Sequence, residues 1–395
     1  MDHRELAALL TPDALRAIDA LGAIASTDQA AAAVSRLRAD GHSPEFVSAV
    51  VSQARLRTRA VAKFGEFADR MLFTRAGLEQ ASRLSVAALH AGRFRDAGLA
   101  RVADLGCGIG GDALGLAGIG LEVRAVDADE ITAAIASYNL APFGDTASVA
   151  HARAEDVDLT DVDAVWLDPA RRTAGHGETA RTRSQDWSPS LEWAFALASR
   201  MPTGIKLGPG FDRTQIPDDV EAQWISVDGS TIELVLWSGP LARDGITRAA
   251  LVVQGNAAHE LTAPADVADV AVRPLGTYLH EPAGAVIRAR LIGEVARRLD
   301  AGMVSEGIAY LTSDTALTSP FAQSFRIVEQ LPFDMKQLSR ALRERDLGTL
   351  EIKKRGVDVD PAALRTKLKL KGRGSATLVL TRLGTQRVAL LAERV

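Results

Sequence analysis

Val102-Ala103-Asp104-Leu105-Gly106-Cys107-Gly108-Ile109-Gly110-Gly111-Asp112 reads as an apolar strand that runs into glycines and then into a helix. Gly106, Gly108 and Gly111 satisfy the spacing G-x-G-x-x-G, which by itself is shared by several nucleoside-binding sheets. Glycines at such a turn let the backbone bend sharply and approach a ligand closely. Asp104 precedes the first glycine by two residues and Asp112 follows the last by one. Carboxylates crowding the loop repel a pyrophosphate and attract a ligand carrying an amino group and a sulfonium. Cys107 sits where a small residue is needed and has no evident histidine partner, so it is expected to pack rather than react.

Outward from this loop, short apolar runs alternate with helical stretches. Strands are expected at Arg101–Leu105, Leu121–Asp127, Ser148–Arg153, Ala164–Asp168 and Gly204–Leu207, with a closing hairpin of Ala222–Val227 and Ile232–Trp237 around Asp228-Gly229-Ser230. Alternating βα units imply a parallel sheet covered by helices on both faces. Asp127 ends the second strand about twenty residues past the glycines, where an acid accepts from both hydroxyls of a ribose. Glu155-Asp156 follows the third strand and is read equally well as a helix cap or as an acceptor for an adenine amine. The fourth strand ends Asp168-Pro169-Ala170-Arg171-Arg172 at the carboxyl edge of the sheet, where open α/β sheets bind ligands. That register makes Asp168 a substrate-facing residue rather than a plain turn.

Glycine loop, strand-two acid, third-strand acid and strand-four Asp-Pro occur in the order seen in class I S-adenosylmethionine-dependent methyltransferases, and the chain resembles that family from about Phe73 to Gly239. Phe73-Thr74-Arg75-Ala76-Gly77 and Ile205-Lys206-Leu207-Gly208-Pro209-Gly210 resemble more narrowly the trimethylguanosine-synthase-like and RNA guanine-methyltransferase branch. With its C-terminal segment, the whole chain resembles bacterial methyltransferases that carry a THUMP-like domain. The resemblance implies an α/β fold: a Rossmann-like seven-stranded sheet, an N-terminal helical domain and a small C-terminal α+β domain. It implies S-adenosylmethionine as cofactor, with Asp104, Gly106 and Gly108 along its methionine part, Asp127 on the ribose and Asp156 on the adenine amine. Asp168 and the Pro169 carbonyl would face the acceptor. Where the family's amino-methylating motif carries a second proline and an aromatic residue, this chain has Ala170 and Arg171. Trp166, Trp187 and Trp193 are the candidates for a stacking face, against the commoner role of a buried tryptophan.

The chain has 395 residues, enough for two or three domains, and 47% hydrophobic and 24% charged residues exclude a disordered or fibrous chain. A formal net charge of −4 excludes a uniformly basic nucleic-acid binder. The single cysteine fits a reducing cytoplasm, the start Met1-Asp2-His3-Arg4-Glu5 lacks signal-peptide character, and no apolar run spans a bilayer. One cysteine and scattered histidines give no metal-ligand spacing.

Four regions are expected: helices over 1–80, the methyltransferase sheet over 81–240, a connecting region of unassigned fold over 241–330 with a helix near Val286–Leu299, and a basic domain over 331–395. Thr11-Pro12-Asp13 and Ser43-Pro44-Glu45 are helix starts. Arg55 to Arg75 holds six basic residues against two acids and reads best as a solvated helix face. From 331 to 395 there are fifteen Lys or Arg and seven Asp or Glu, so this segment carries +8 and the rest −12. Lys353-Lys354-Arg355 and Lys367-Leu368-Lys369-Leu370-Lys371 are dense clusters, and on a strand the alternating lysines of the second would share one face. Lys353, Lys354, Lys369 and Lys371 are therefore candidate RNA phosphate contacts, and Arg171 and Arg172 candidate phosphate contacts near the site.

Together these features favour methyl transfer to an exocyclic or ring nitrogen of an RNA base, guanine or adenine. A small-molecule or protein methyltransferase whose basic tail serves assembly is the alternative, and an RNA-binding protein with a vestigial pocket is the reading from another class.

Overall fold

The computed structural model describes residues 1–171 and 187–395. The chain divides into two compact units, residues 1–207 with 236–241 and residues 208–235 with 242–395.

The first unit opens with helices α1 (His3–Leu9), α2 (Pro12–Leu21), α3 (Thr27–Ala39) and α4 (Pro44–Phe64). Thr11 and Ser43 cap α2 and α4 as predicted, each side chain accepting from a backbone N–H three residues on, with proline at the first helical position. α4 buries Val47, Val50, Val51, Ala54, Ala60 and Phe64 and packs against the three helices before it. The basic stretch is only partly a solvated face. Arg57 is buried, donating from Nε to the Met71 carbonyl (2.9 Å) and from Nη1 to Asp19 (2.7 Å). Lys63 donates to the carbonyls of Leu78, Glu79 and Ala81, closing the C-terminal end of α5 (Arg75–Gln80). Helix α6 (Leu84–Asp96) leads into the sheet.

The sheet is built from β1 (Arg101–Leu105), β2 (Glu122–Asp127), β3 (Ala147–His151), β4 (Ala164–Leu167) and β7 (Thr203–Leu207), all parallel, with α7 (Gly111–Gly118), α8 (Glu130–Leu140) and α9 (Leu191–Ala198) between them. A two-residue pair, β5 (Ala170–Arg171) with β6 (Trp187–Ser188), follows β4. Arg172 lies outside the described residues. Behind β4, Trp166 packs on Trp237, His90 and Phe94. A Cβ at Gly204 would lie 2.7 Å from the Trp237 ring, so glycine makes room for this cluster. Trp166 and Trp187 are buried and present no stacking face to solvent.

In the second unit β8 (Glu221–Val227) turns through Asp228 and Gly229, both at positive φ, into β9 (Ser230–Trp237), whose last two residues belong to the first unit. Within the first unit the parallel strands are ordered β3-β2-β1-β4-β7. Beside β8 the second unit holds two strands that the sequence did not predict. The apolar run Ala249–Val253 forms β10 (Arg248–Gln254), which adds parallel to β8, and β11 (Ala257–Ala263) adds antiparallel to β10. A β8 buried at every residue would otherwise leave an unpaired edge.

A second, seven-stranded sheet begins within the connecting region. Its strands are β12 (Tyr278–Pro282), β13 (Gly302–Ser305), β14 (Ile308–Ser313), β15 (Ala322–Leu331), β16 (Leu347–Lys354), β17 (Gly374–Leu383) and β18 (Gln386–Arg394), ordered β13-β14-β12-β15-β18-β17-β16. The single helix expected near 286–299 is two, α10 (Gly284–Arg288) and α11 (Ile292–Arg298), broken at Arg290 with φ 60°. α12 (Met335–Glu344), capped by Asp334, and α13 (Pro361–Leu368), capped by Asp360, bury Leu338, Leu342, Leu364 and Leu368 against Leu378, Leu380 and Leu391.

Candidate active site

The glycine loop takes conformations that side chains avoid: Gly106, Gly108 and Gly110 have φ of 86°, 57° and 86°. The N–H groups of Gly106 and Cys107 both donate to the Val126 carbonyl at 2.9 Å, which ties the loop to the end of β2. Gly108 N–H donates to Asp127 Oδ2 (3.0 Å) and Asp129 N–H to Asp127 Oδ1 (2.9 Å), so the strand-two acid is oriented by the backbone on each side of it. Burial raises its carboxyl above the ordinary range. A Cβ at Gly106 would stand 3.0 Å from the Asp168 carbonyl oxygen, so the end of β4 meets the loop here. Thus Asp104, Gly106, Gly108, Asp127 and Asp168 converge at one edge of the sheet, and Pro169 is buried beside Asp168.

A segment from the helical region closes on the same loop. Asn139 on α8 accepts from Leu72 N–H (2.7 Å) and donates to the carbonyls of Leu72 (3.0 Å) and Ile109 (2.9 Å). Thr74 caps α5. A Cβ at Gly77 would come within 2.4 Å of the Ile109 side chain, so the Phe73–Gly77 motif presses against the loop through its glycine.

Beneath the loop lies a buried polar cluster that the sequence did not disclose as a unit. Lys206, on β7, sits 2.6 Å from Asp168 Oδ2 and donates to Asp112 Oδ2 (3.2 Å) and Ser82 Oγ (3.0 Å). Ser82 donates to Asp112 Oδ2 (3.0 Å), and His90 Nδ1 lies 3.2 Å from Asp112 Oδ1. Burial opposes ionisation of Asp112, yet Lys206, then His90 and Ser82, hold its carboxyl below the ordinary range. Asp112, read from the sequence as one of two carboxylates crowding the loop, turns inward onto Lys206, Ser82 and His90. The signal for Lys206 was present: a lysine inside the otherwise apolar strand Gly204-Ile205-Lys206-Leu207.

Asp104 differs from every other acid here. It is 1% exposed, and neither carboxyl oxygen has a hydrogen-bond partner. Burial, then the charges of Asp112 and Asp168, push its carboxyl well above the usual range, and Lys206 offsets this only in part. Cys107 is buried and its thiol is pushed up by burial and by Asp104, in keeping with a packing role.

Asp156 is not drawn into this group by any bond. It stands on the short turn Ala154–Asp156 with a side chain 69% exposed, 4.0 Å from Arg153 Nε. In the second unit Lys354, Lys369 and Lys371 are exposed. Lys353 is not: it pairs with Glu281 (2.6 Å) and Glu351 (3.4 Å) and lies over the Phe325 ring, which makes it part of the sheet's own packing. The alternating lysine run is not a strand either. Leu364 and Leu368 bury one side of α13, which carries Lys367 in its last turn, and Lys369 ends it at φ 47°. Among the described residues no cluster of His, Cys, Asp and Glu is arranged to hold a metal, and no helix is long and apolar enough to cross a membrane.

An uncharacterized S-adenosylmethionine-dependent methyltransferase of Mycobacterium tuberculosis, found in strains CDC 1551 and H37Rv, is 33% identical over 344 residues, which cover 85% of this chain and 92% of the relative. The chain belongs to the S-adenosylmethionine-dependent methyltransferases. Residues 322–394 match the THUMP domain-like family, and residues 2–60 match a domain of unknown function. The fold is shared along the whole chain with a protein of Porphyromonas gingivalis W83 assigned as a methyltransferase, at 21% identity and a TM-score of 0.67, covering 100% of this chain and 99% of that one. The protein is therefore a class I methyltransferase with a C-terminal THUMP-like domain, and its cofactor is S-adenosylmethionine. The residues present fit that cofactor: glycines leave the loop backbone bare, and the buried carboxyl beneath them lacks a partner that a cationic ligand would provide.

Proposed function

We propose that this methyltransferase acts on a nitrogen of an RNA base, guanine or adenine. The observation that carries the reading is the approach of Asp168, at the end of β4, to the glycine loop at Gly106. Asp104, Gly106 and Gly108 would hold the methionine part of the cofactor, Asp127 its ribose and Asp156 its adenine amine. Bound S-adenosylmethionine supplies a methyl group already activated on a sulfonium, so catalysis needs mainly proximity and alignment from the protein. Asp168 and the Pro169 carbonyl would accept the N–H bonds of the acceptor amine and turn its lone pair away from themselves. The Asp168 carboxylate would then stabilise positive charge developing on the nitrogen. Lys206 keeps one Asp168 oxygen fixed at 2.6 Å while the other end of the cluster is anchored on Asp112.

The THUMP-like match and the +8 charge of 331–395 support RNA as the acceptor. Lys354, Lys369 and Lys371 are exposed and suited to phosphates. Arg171 and Arg172, three and four residues past Asp168, would take a further phosphate. The reading is tested by incubating the protein with methyl-labelled S-adenosylmethionine and separated RNA, protein and small-molecule fractions. Label should enter RNA and be lost in Asp168→Ala. Label confined to protein or metabolites, or an undiminished Asp168→Ala, overturns it.

A further inference from the structure

Asp104 poses a problem of charge that the cluster around it does not solve. Its two oxygens are buried without a partner. Asp112 on α7, Asp168 after β4 and Asp127 at the end of β2 all act on it as like charges. The cation that faces it, Lys206 on β7, spends three contacts elsewhere, on Asp168, Asp112 and Ser82. His90 on α6 addresses Asp112, and Cys107 faces it as a neutral thiol. An ionised carboxylate buried bare among three others costs far more than a neutral acid, and such groups keep their proton until a cation arrives.

We propose that Asp104 receives the cofactor's α-ammonium and enters that contact as the neutral acid, so that cofactor binding expels its proton to solvent. This rests on the S-adenosylmethionine pocket at the glycine loop and goes beyond it by coupling occupancy to proton release. The O–H bond of Asp104 breaks as the ammonium moves in, the proton passes to buffer, and an ion pair replaces an unpaired acid. S-adenosylhomocysteine carries the same ammonium and should release the same proton.

The test is calorimetry of the full chain with S-adenosylmethionine and, separately, S-adenosylhomocysteine, in buffers of different ionisation enthalpy between pH 5.5 and 7. There α-amino groups, which titrate near about 8, stay cationic. The expected result is proton release on binding, up to one per ligand, and affinity that tightens as pH rises, by at most about tenfold per unit. Asp104→Asn, a neutral stand-in for the acid, should fold as well as the parent by circular dichroism and bind without releasing that proton. His90 and His151 remain in the variant, so the difference isolates Asp104. Binding without proton release in the parent, a count that needs no variant, overturns the proposal and leaves the pocket standing. Equal release by Asp104→Asn also overturns it. Release with S-adenosylmethionine alone overturns the assignment to the ammonium. Absence of any binding by the parent refutes the pocket itself.

Discussion

Lys206 Nζ lies 2.6 Å from Asp168 Oδ2, and the same ammonium holds Asp112 and Ser82. One buried lysine thereby joins the carboxylate proposed to face the acceptor to the start of α7, directly after the glycine loop. Lys206→Met should leave Asp112 buried with only His90 and Ser82 as partners and lower stability by roughly 3–5 kcal/mol. Adding Asp112→Asn should restore much of that stability, measured by denaturant unfolding, because the stranded charge is gone. Methyl transfer to RNA should stay at least about tenfold reduced in the double variant, since Asp168 still lacks its anchor. Full recovery of transfer together with stability would make Lys206 purely structural.

Gly106 has φ 86°, and a Cβ there would stand 3.0 Å from the Asp168 carbonyl oxygen. Gly106→Ala therefore strains the loop by about 1–2 kcal/mol and shifts it off the end of β4. Calorimetry should show S-adenosylmethionine binding weakened about tenfold or more, with the far-ultraviolet spectrum unchanged. Unaltered affinity would place the cofactor away from this turn.

His280 is fully buried between Ser324 Oγ and Ser313 Oγ, each at 2.8 Å, and burial lowers its pKa from 6.5 to about 4. Between those values the unfolded chain binds a proton that the folded one refuses. Stability from this residue is thus complete above about pH 6.5 and is lost as pH falls toward 4, by about 3 kcal/mol in all. Hydrogen exchange at the β12 amides Leu279, His280 and Glu281 should show protection falling between pH 6.5 and 4.5, and His280→Gln should flatten that dependence. A parent profile already flat in this range would contradict it.

The exposed lysines and the paired one should separate in RNA binding. Replacing Lys354, Lys369 and Lys371 together by Ala should weaken binding and reduce the slope of log affinity against log salt by about 2, as expected for three phosphate contacts to single strands. Lys353→Met should leave that slope unchanged, because Glu281 and Glu351 already hold its charge. A triple variant with the parent's salt dependence would move RNA docking away from these side chains.

Much of the sheet was legible because its strands are short apolar runs ended by glycine or acid, and the loop at Gly106 and Gly108 announces a close backbone approach. Asp127 and Asp168 were legible from register alone, as residues at strand tips. The Lys206–Asp112–Ser82–His90 cluster was not, because Ser82 with His90, Asp112, and Lys206 come from three stretches separated in sequence that meet only in the fold. The lysine run 367–371 misled for a related reason. Its period of two is that of a strand, but Asp360-Pro361 starts a helix whose Leu364 and Leu368 are buried, and that packing overrides the alternation. The two extra strands β10 and β11 lie past the hairpin that normally ends such a pattern, where no motif marks them.

The most direct measurement is mass spectrometry of nucleosides from total RNA of cells with the gene intact, deleted, and restored with the parent or Asp168→Ala chain. One N-methylated guanine or adenine should disappear on deletion, return with the parent and stay absent with Asp168→Ala. Identical nucleoside profiles in all four would contradict RNA base methylation by this protein.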